Sequence, residues 1–204
     1  MFKYLALLAI GVLIIFSLNK KEVHVTTIDA NDTILAFGDS ITYGFGVEEG
    51  LDYPSALSDK TGLSVLNAGV NGDTSQDALR RLPALLNEES LKLVLLCFGG
   101  NDLLQKTSKE SLKSNLRTMI RAFKKQNIAV VLISVPDVSL FGLNSLNLYE
   151  ELAEEENVEL IENLLSHVLS KPSLKSDYVH PNAAGYEYMA NEIYDYLKAQ
   201  AWVK

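Results

Sequence analysis

The chain has 204 residues, of which 48% are apolar, and its formal net charge is −8. This length suits one well-buried α/β domain plus a short extra element, and it is too short for two ordinary domains. Nucleic acid is excluded as a partner, because phosphate binding requires a basic face. The single cysteine, Cys97, excludes an internal disulfide, and its apolar neighbours predict a small buried side chain.

The N-terminal segment 1–21 differs from the rest of the chain. Residues 4–18 are apolar and uncharged, which predicts an apolar helix that is either a retained membrane anchor or a cleaved secretory signal. We favour the anchor, because no cleavage site of small residues follows it. The two lysines after it outnumber the one before it, a balance that by itself would place the domain on the cytoplasmic side. Residues 22–31 are polar and mixed, and we interpret them as a linker.

Residues 32–204 alternate strand and helix patterns. Apolar runs predict strands at 33–37, 64–66, 92–98, 128–135 and 158–161. Helical patterns predict helices near 53–60, 75–88, 108–126, 145–156, 162–170 and 182–199. The strands lack polar alternation, which is typical of parallel strands covered on both faces. We therefore expect a doubly wound three-layer α/β/α sandwich with a five-stranded parallel sheet and right-handed crossovers.

Four residues indicate where predicted helices begin or are interrupted. Thr107 and Glu110 have the spacing of a capping box at the start of the third helix. Pro83 is expected to kink or divide the second helix, because proline lacks the backbone N–H that a helix interior uses. Asn182 is expected to cap the last helix.

Residues able to do chemistry follow the predicted strands, where the reactive groups of such sheets gather. The segments are 38–42 (GDSIT), 67–74 (NAGVNGDT), 99–102 (GGND) and, in the last loop, 177–181 (DYVHP).

A serine hydroxyl needs a base to take its proton, and the base needs an acceptor that fixes its ring. Ser40 offers the hydroxyl at a strand-to-helix turn. Of the three histidines, His24 lies in the linker and His167 lies among apolar helix residues, where we expect a structural role. His180 remains as the base, and Asp177, three residues earlier, can accept a hydrogen bond from its ring. These three residues form a candidate triad.

The substrate oxygen that becomes negative during acyl transfer needs preorganised donors. The backbone amides of Ser40 and Gly72 and the side-chain amide of Asn101 are the candidates. Taken singly, the serine could be a helix N-cap, the glycine a turn residue and the asparagine an Asx turn. Their order after successive strands favours one shared site.

These segments resemble the four sequence blocks of the SGNH/GDSL hydrolase superfamily. The matching residues are Gly38-Asp39-Ser40, Gly72, Gly100-Asn101-Asp102 and Asp177-x-x-His180-Pro181. The chain is most similar to the bacterial multifunctional thioesterase, arylesterase and lysophospholipase group, through 72–76 (GDTSQ) and 81–86 (RLPALL), and the similarity covers residues 32–199.

The resemblance implies a flavodoxin-like sheet and a serine hydrolase that cleaves esters or thioesters through an acyl-enzyme. It implies a triad of Ser40, Asp177 and His180, with Ser40, Gly72 and Asn101 as the oxyanion hole. It also implies that neither a metal nor an organic cofactor is used. The substrate would be a small acyl ester or thioester, lipids included.

Leu103, Leu104 and Phe141 are candidate residues of an acyl-binding groove, although ordinary loop packing explains each of them equally well. Leu140 and Leu143 belong to the same candidate set. We expect a monomer that is bound to the membrane through residues 4–18. Its hydrolase domain would lie outside the cytoplasm, or the protein would be secreted if the segment is cleaved.

Other functions fit the sequence less well. The α/β-hydrolase elbow, G-x-S-x-G, would need glycine where Thr42 stands. Dinucleotide binding would need a third glycine in register after 44–46 (GFG), and a zinc hydrolase would need clustered ligands. Two alternatives stay open: a carbohydrate O-deacetylase of the same superfamily, and a non-catalytic binding module tethered to a membrane.

Overall fold

The structure is a computed structural model that describes residues 27–139 and 142–204. The central sheet consists of β1 (Thr33–Gly38), β2 (Ser64–Gly69), β3 (Leu91–Cys97), β4 (Ala129–Ile133) and β7 (Glu159–Ile161). An antiparallel hairpin consists of β5 (Pro136–Ser139) and β6 (Gly142–Ser145). The helices are α1 (Ser40–Tyr43), α2 (Tyr53–Thr61), α3 (Ser75–Leu85), α4 (Gly100–Leu104), α5 (Lys109–Lys125), α6 (Asn147–Glu156), α7 (Leu164–Ser170) and α8 (Ala183–Ala199).

All the strand pairs of the central sheet are parallel, and their order is β2-β1-β3-β4-β7. This is the flavodoxin-like order 2-1-3-4-5 when only the strands of this sheet are counted, which confirms the predicted α/β fold with five parallel strands. The order reverses between β1 and β3. The loops that leave these two strands run in opposite directions and open a crevice at the carboxyl edge of the sheet.

Helices cover both faces of the inner strands. Every residue of β4 is buried, as are all but one of β3. Helix α2 packs against α8, and α5 packs against α3 and α6. The edge strand β2, by contrast, is exposed or half-buried along its length. Cys97 is buried and unpaired at the end of β3, as its apolar neighbours predict.

One local prediction is wrong, and a second is wrong in one of its two alternatives. The N-cap of α5 is Ser108, whose hydroxyl accepts a hydrogen bond from Ser111 N, so Thr107 and Glu110 form no capping box. The capping box of the described chain lies at α3 instead, between Thr74 and Asp77. Pro83 does not divide its helix: α3 runs unbroken and ends two residues later, where few backbone bonds are lost.

The sequence pattern also missed several short elements. Helices α1 and α4 have four and five residues, too few for a helical period to be recognised. The β5–β6 hairpin follows the predicted strand 128–135 and ends at the first residue of the predicted helix 145–156, in a stretch for which no strand was predicted. Asn182 caps α8 as expected, with its side-chain oxygen accepting from Gly185 N at 3.0 Å.

None of the helices that the structure describes is long and apolar enough to cross a bilayer. The apolar helix predicted over residues 4–18 lies outside the described residues, as does His24. The described chain starts beside its own C-terminus, where Ile28 N donates to Trp202 O at 2.8 Å.

Candidate active site

Ser40 is the first residue of α1 and stands two residues after the end of β1. The turn between them is held by Asp39, whose carboxylate accepts a hydrogen bond from Ile41 N at 3.0 Å. Gly38 makes this turn possible, because a Cβ there would lie 2.0 Å from Thr42 Oγ1 and 2.8 Å from Cys97 O. The tight strand-to-helix turn presents the serine side chain at the carboxyl edge of the sheet.

A chain of hydrogen bonds links Ser40 to the last loop of the protein. Ser40 Oγ lies 3.0 Å from His180 Nε2, and His180 Nδ1 lies 2.8 Å from Asp177 Oδ2. The second carboxylate oxygen of Asp177 accepts from the backbone N–H groups of Val179 and His180, both at 2.8 Å. Partial burial would raise the pKa of Asp177, but these hydrogen bonds outweigh it and hold the pKa below its ordinary value. The carboxylate is therefore ionised beside the imidazole at neutral pH.

The loop that carries His180 is closed on itself. Lys175 pairs with Pro181 in an antiparallel bridge, and Ser176 N donates to His180 O at 2.9 Å. The Phe45 ring packs against the imidazole, with ring centroids 4.4 Å apart. Phe45 follows α1, so the segment that bears the candidate nucleophile also supports the candidate base. No sequence pattern indicates this contact, because the two rings are far apart in the chain.

The candidate oxyanion donors lie at the starts of α1 and α4 and in the loop after β2, and the last two of these segments contact each other. Asn101 lies in α4, and its Nδ2 donates to Asp73 O at 3.0 Å. Gly72 precedes Asp73 and has a φ of +83°, in the left-handed region that favours glycine. Among the described residues, none accepts a hydrogen bond from the backbone N–H of Ser40 or Gly72. Asn101 keeps a second amide hydrogen as well, because a side-chain amide has two.

Two buried carboxyl groups, those of Asp39 and Asp102, lie beside the candidate oxyanion donors. Both residues stand within the sequence motifs, but no sequence pattern indicated a role for them. Burial raises the pKa of Asp39 to about 6, the Asp102 charge adds to this rise, and the Ile41 N–H and His180 oppose it. Asp102 accepts hydrogen bonds from Ser75 N at 2.8 Å and from Ser75 Oγ at 2.6 Å. Asp102 thus fixes the start of α3 to α4.

An apolar cavity of about 80 Å³ opens beside Ser40 and His180. Its lining residues are Asp39, Ser40, Ile41, Gly100, Asn101, Leu104, Val135, Pro136, Leu169, Val179 and His180. Leu104, a predicted groove residue, lines this cavity, whereas Leu103 does not. Phe141 and Leu140 lie outside the described residues, and the side chain of Leu143 is not described. The sequence analysis did not identify the other apolar wall residues, because they come from four separate segments: Ile41, Val135 and Pro136, Leu169, and Val179.

Other clefts lie away from this network. One of about 440 Å³ includes His167, whose ring stacks on Tyr188 with centroids 4.8 Å apart. This packing is the structural role expected for that histidine. Across the described ranges, no group of three histidine, cysteine or acidic side chains could hold a metal ion. The arrangement at Ser40 has the parts of a nucleophile, a base and a carboxylate that orients the base.

Comparison with known proteins agrees with this chemistry. The model of the GDSL-like Lipase/Acylhydrolase family matches residues 36–188. The chain is 32% identical to thioesterase 1/protease 1/lysophospholipase L1 of Escherichia coli K12 over 169 residues, covering 79% of this chain and 81% of that protein. It is 30% identical to an arylesterase of Vibrio mimicus, covering 82% and 91%.

A solved structure extends the comparison to the fold. The psychrotrophic esterase EstA from Pseudoalteromonas sp., in a structure inhibited by monoethylphosphonate, is 26% identical and superimposes with a TM-score of 0.75. The match covers 82% of this chain and 97% of EstA.

Proposed function

The chain belongs to the GDSL-like lipase/acylhydrolase family, and we propose that it hydrolyses carboxylic ester or thioester bonds through an acyl-enzyme on Ser40. The observation that carries this proposal is the relay from Ser40 through His180 to Asp177, with separations of 3.0 and 2.8 Å, beside an apolar cavity. Family membership supports an ester hydrolase, and the relay supports the assignment of the triad.

In the first half of the reaction, Ser40 Oγ attacks the acyl carbon while His180 Nε2 takes the hydroxyl proton. Asp177 stabilises the imidazolium and keeps Nδ1 protonated. The negative oxygen of the tetrahedral intermediate accepts hydrogen bonds from Ser40 N, Gly72 N and the free amide hydrogen of Asn101. The intermediate collapses, and the leaving alcohol or thiol takes the proton from His180.

In the second half, a water molecule attacks the acyl group on Ser40 and gives a proton to His180 Nε2. Collapse of this second intermediate releases the carboxylic acid, and the proton returns to Ser40 Oγ. The enzyme regains its starting protonation state, so each cycle consumes one ester and one water.

The size of the cavity supports a short acyl group. Its volume of about 80 Å³ is roughly half that of a ~150 Å³ apolar cavity able to hold benzene. The relatives named arylesterase and thioesterase point to aryl esters and acyl thioesters as substrates. The same small volume favours a second candidate, removal of acetyl groups from carbohydrates.

The test uses the domain from residue 22 onward and a panel of aryl esters, acyl thioesters, lysophospholipids and acetylated sugars. Ser40→Ala should abolish hydrolysis while the thermal unfolding midpoint stays close to that of the unchanged chain, since the one hydrogen bond of this half-buried hydroxyl contributes only about 1 kcal/mol to stability. Undiminished turnover in this variant would remove Ser40 from the mechanism. Hydrolysis of acetylated sugars alone would favour the second candidate, and no hydrolysis of any substrate would favour a binding module.

A phosphonate reagent provides a second measurement, since the similar esterase EstA is inhibited by monoethylphosphonate. An activated ethylphosphonate ester should add one phosphonyl group to the unchanged chain, with loss of its leaving group, and none to Ser40→Ala. Intact-mass analysis measures the addition, and peptide mapping locates it.

The apolar segment 4–18 is proposed to anchor the domain on the outer side of the cytoplasmic membrane. The full chain should then sediment with membranes and be digested by protease added to spheroplasts. Recovery of the uncleaved protein in the soluble fraction would contradict the anchor, and recovery of a shortened protein outside the cells would favour a cleaved signal.

A further inference from the structure

One arginine beneath the candidate site binds three separate segments. Arg81 lies in α3, and its Nε donates to the carboxylate of Asp73 at 2.7 Å. Its Nη1 donates to Ala68 O at 3.1 Å, and its Nη2 lies 3.4 Å from Gly38 O. The guanidinium also stacks over the Phe37 ring, with Cζ 4.9 Å from the ring centroid. Every nitrogen of the side chain therefore has a partner.

The three acceptors stand beside the proposed catalytic donors. Gly38 ends β1 and is separated from Ser40 by one residue. Ala68 lies at the end of β2, at the start of the loop that contains Gly72. Asp73 follows Gly72, and its carbonyl oxygen accepts the hydrogen bond from Asn101 Nδ2 at 3.0 Å. Two acceptors of Arg81 are therefore close in sequence to proposed donors: Gly38 is two residues from Ser40, and Asp73 is next to Gly72. Arg81 is also connected to Asn101, because Asp73 binds both side chains.

This arrangement differs from an ordinary surface ion pair. The Arg81 side chain is 28% exposed and the Asp73 side chain 14%, so the pair is largely shielded from water. A guanidinium presents its donors in a rigid planar fork, so three acceptors bound to it are fixed relative to one another. Lysine has a single rotatable ammonium and cannot hold the same three acceptors in one plane.

We propose that Arg81 is a positioning residue that sets the spacing of the oxyanion donors by fixing the ends of β1 and β2 and the Gly72–Asp73 loop. The inference rests on the proposed function of these donors. Arg81 touches no reacting atom in this proposal. Its effect comes through geometry, because a displacement of donors by about 1 Å costs roughly a hundredfold in rate.

The test compares Arg81→Met with Arg80→Met. Methionine keeps an unbranched apolar side chain of similar length but loses every donor. Arg80 comes directly before Arg81 in the same helix. Its side chain is 68% exposed and pairs only with Asp77 among the described residues, so Arg80 is a matched control. Arg81→Met should lower kcat on a short aryl ester by roughly tenfold to a hundredfold with KM changed by less than about threefold. Arg80→Met should stay within about twofold of the unchanged chain.

A double-mutant cycle separates positioning from general weakening. If Arg81 acts through the oxyanion donors, adding Arg81→Met to Asn101→Ala or to Gly72→Ala should cost less than Arg81→Met costs alone. Losses that are fully additive in both cycles would overturn the proposal, and so would a KM that rises while kcat is unchanged. If Arg81→Met does not fold, as judged by its circular dichroism, the same cycle is run with Arg81→Lys, where a loss greater than that of Arg80→Met is expected.

A measurement independent of activity keeps the two proposals apart. In a ¹⁵N-labelled chain, Arg81→Met should shift the side-chain amide signals of Asn101 and the backbone signals of Ser40 and Gly72, whereas Arg80→Met should not. Unshifted signals would overturn the role of Arg81. A chain that hydrolyses nothing but shows these shifts would overturn the proposed function and leave the positioning by Arg81 standing.

Discussion

Asp177 binds His180 at two places, accepting hydrogen bonds from its backbone N–H and from its ring Nδ1, each at 2.8 Å. The acid and the base of the proposed triad are therefore oriented by one short loop, before any substrate is present. Turning the ring away from the carboxylate would break the Nδ1 hydrogen bond.

Asp177→Asn tests this orientation. An asparagine amide that donates to Nδ1 would stabilise the tautomer whose proton sits on Nε2, so His180 could no longer accept from Ser40. We expect kcat to fall by about 10³- to 10⁴-fold. Steady-state kinetics on a short aryl ester measures the loss, and Asp195→Asn, an exposed carboxylate on α8, is the control. A loss of only a few-fold would mean that Asp177 does not orient the base.

Gly72 can be tested against a matched glycine. Gly72 and Gly50 have φ angles of +83° and +88°, and a Cβ at either would meet no atom within 4 Å. Alanine at each position should therefore cost a similar free energy of unfolding, about 1 kcal/mol, from the left-handed backbone alone. Only Gly72→Ala should also lower kcat, by roughly tenfold or more, because the strain shifts a proposed oxyanion donor. Urea unfolding and kinetics of both variants provide the comparison, and equal activity in the two would contradict the role of Gly72.

A comparison of Leu104 with Leu103 tests whether the cavity binds the acyl chain. Leu104 lines the cavity and is 62% exposed, while Leu103 is its neighbour and is not among the lining residues. Leu104→Ala should lower kcat/KM for an aryl butyrate more than for an aryl acetate, since each methylene that loses an apolar contact forfeits up to about 0.8 kcal/mol. Leu103→Ala should leave that ratio unchanged. A larger change in ratio for Leu103→Ala would show that the acyl chain lies elsewhere.

Asp39 should make stability depend on pH. Its pKa is about 6 in the folded protein and about 3.9 in an unfolded chain, so the folded state binds this proton more tightly. The stabilisation from Asp39 is therefore fully present below about pH 4 and is lost as the pH rises through about 6. Asp39→Asn keeps an oxygen to accept from Ile41 N but has no proton to lose. The free energy of unfolding of the unchanged chain minus that of the variant should fall by about 2 kcal/mol between pH 4 and pH 8. A difference that is equal at both pH values would contradict the shift.

Much of the framework is predictable from sequence because it depends on local patterns. Continuous apolar runs identified the five parallel strands, and polar segments after two of these strands contained Ser40 and Asn101. The short motif of the last loop contained Asp177 and His180. Asn182 was recognisable as a cap because an N-cap needs only its own side chain and the next turn.

The remaining features depend on contacts between distant residues. The packing of Phe45 on His180 and the three acceptors of Arg81 have no sequence signal, because each joins segments that meet only in the folded sheet. The failed capping box at Thr107 shows a different limit. Ser108 competes for the same role one residue later, and sequence spacing cannot decide between them.

Ser40 and His180 are separated by 140 residues, and His180 comes just before the helix that packs against α2. During synthesis the proposed nucleophile therefore leaves the ribosome long before the proposed base. A chain that ends before residue 180 is expected to carry an inert serine.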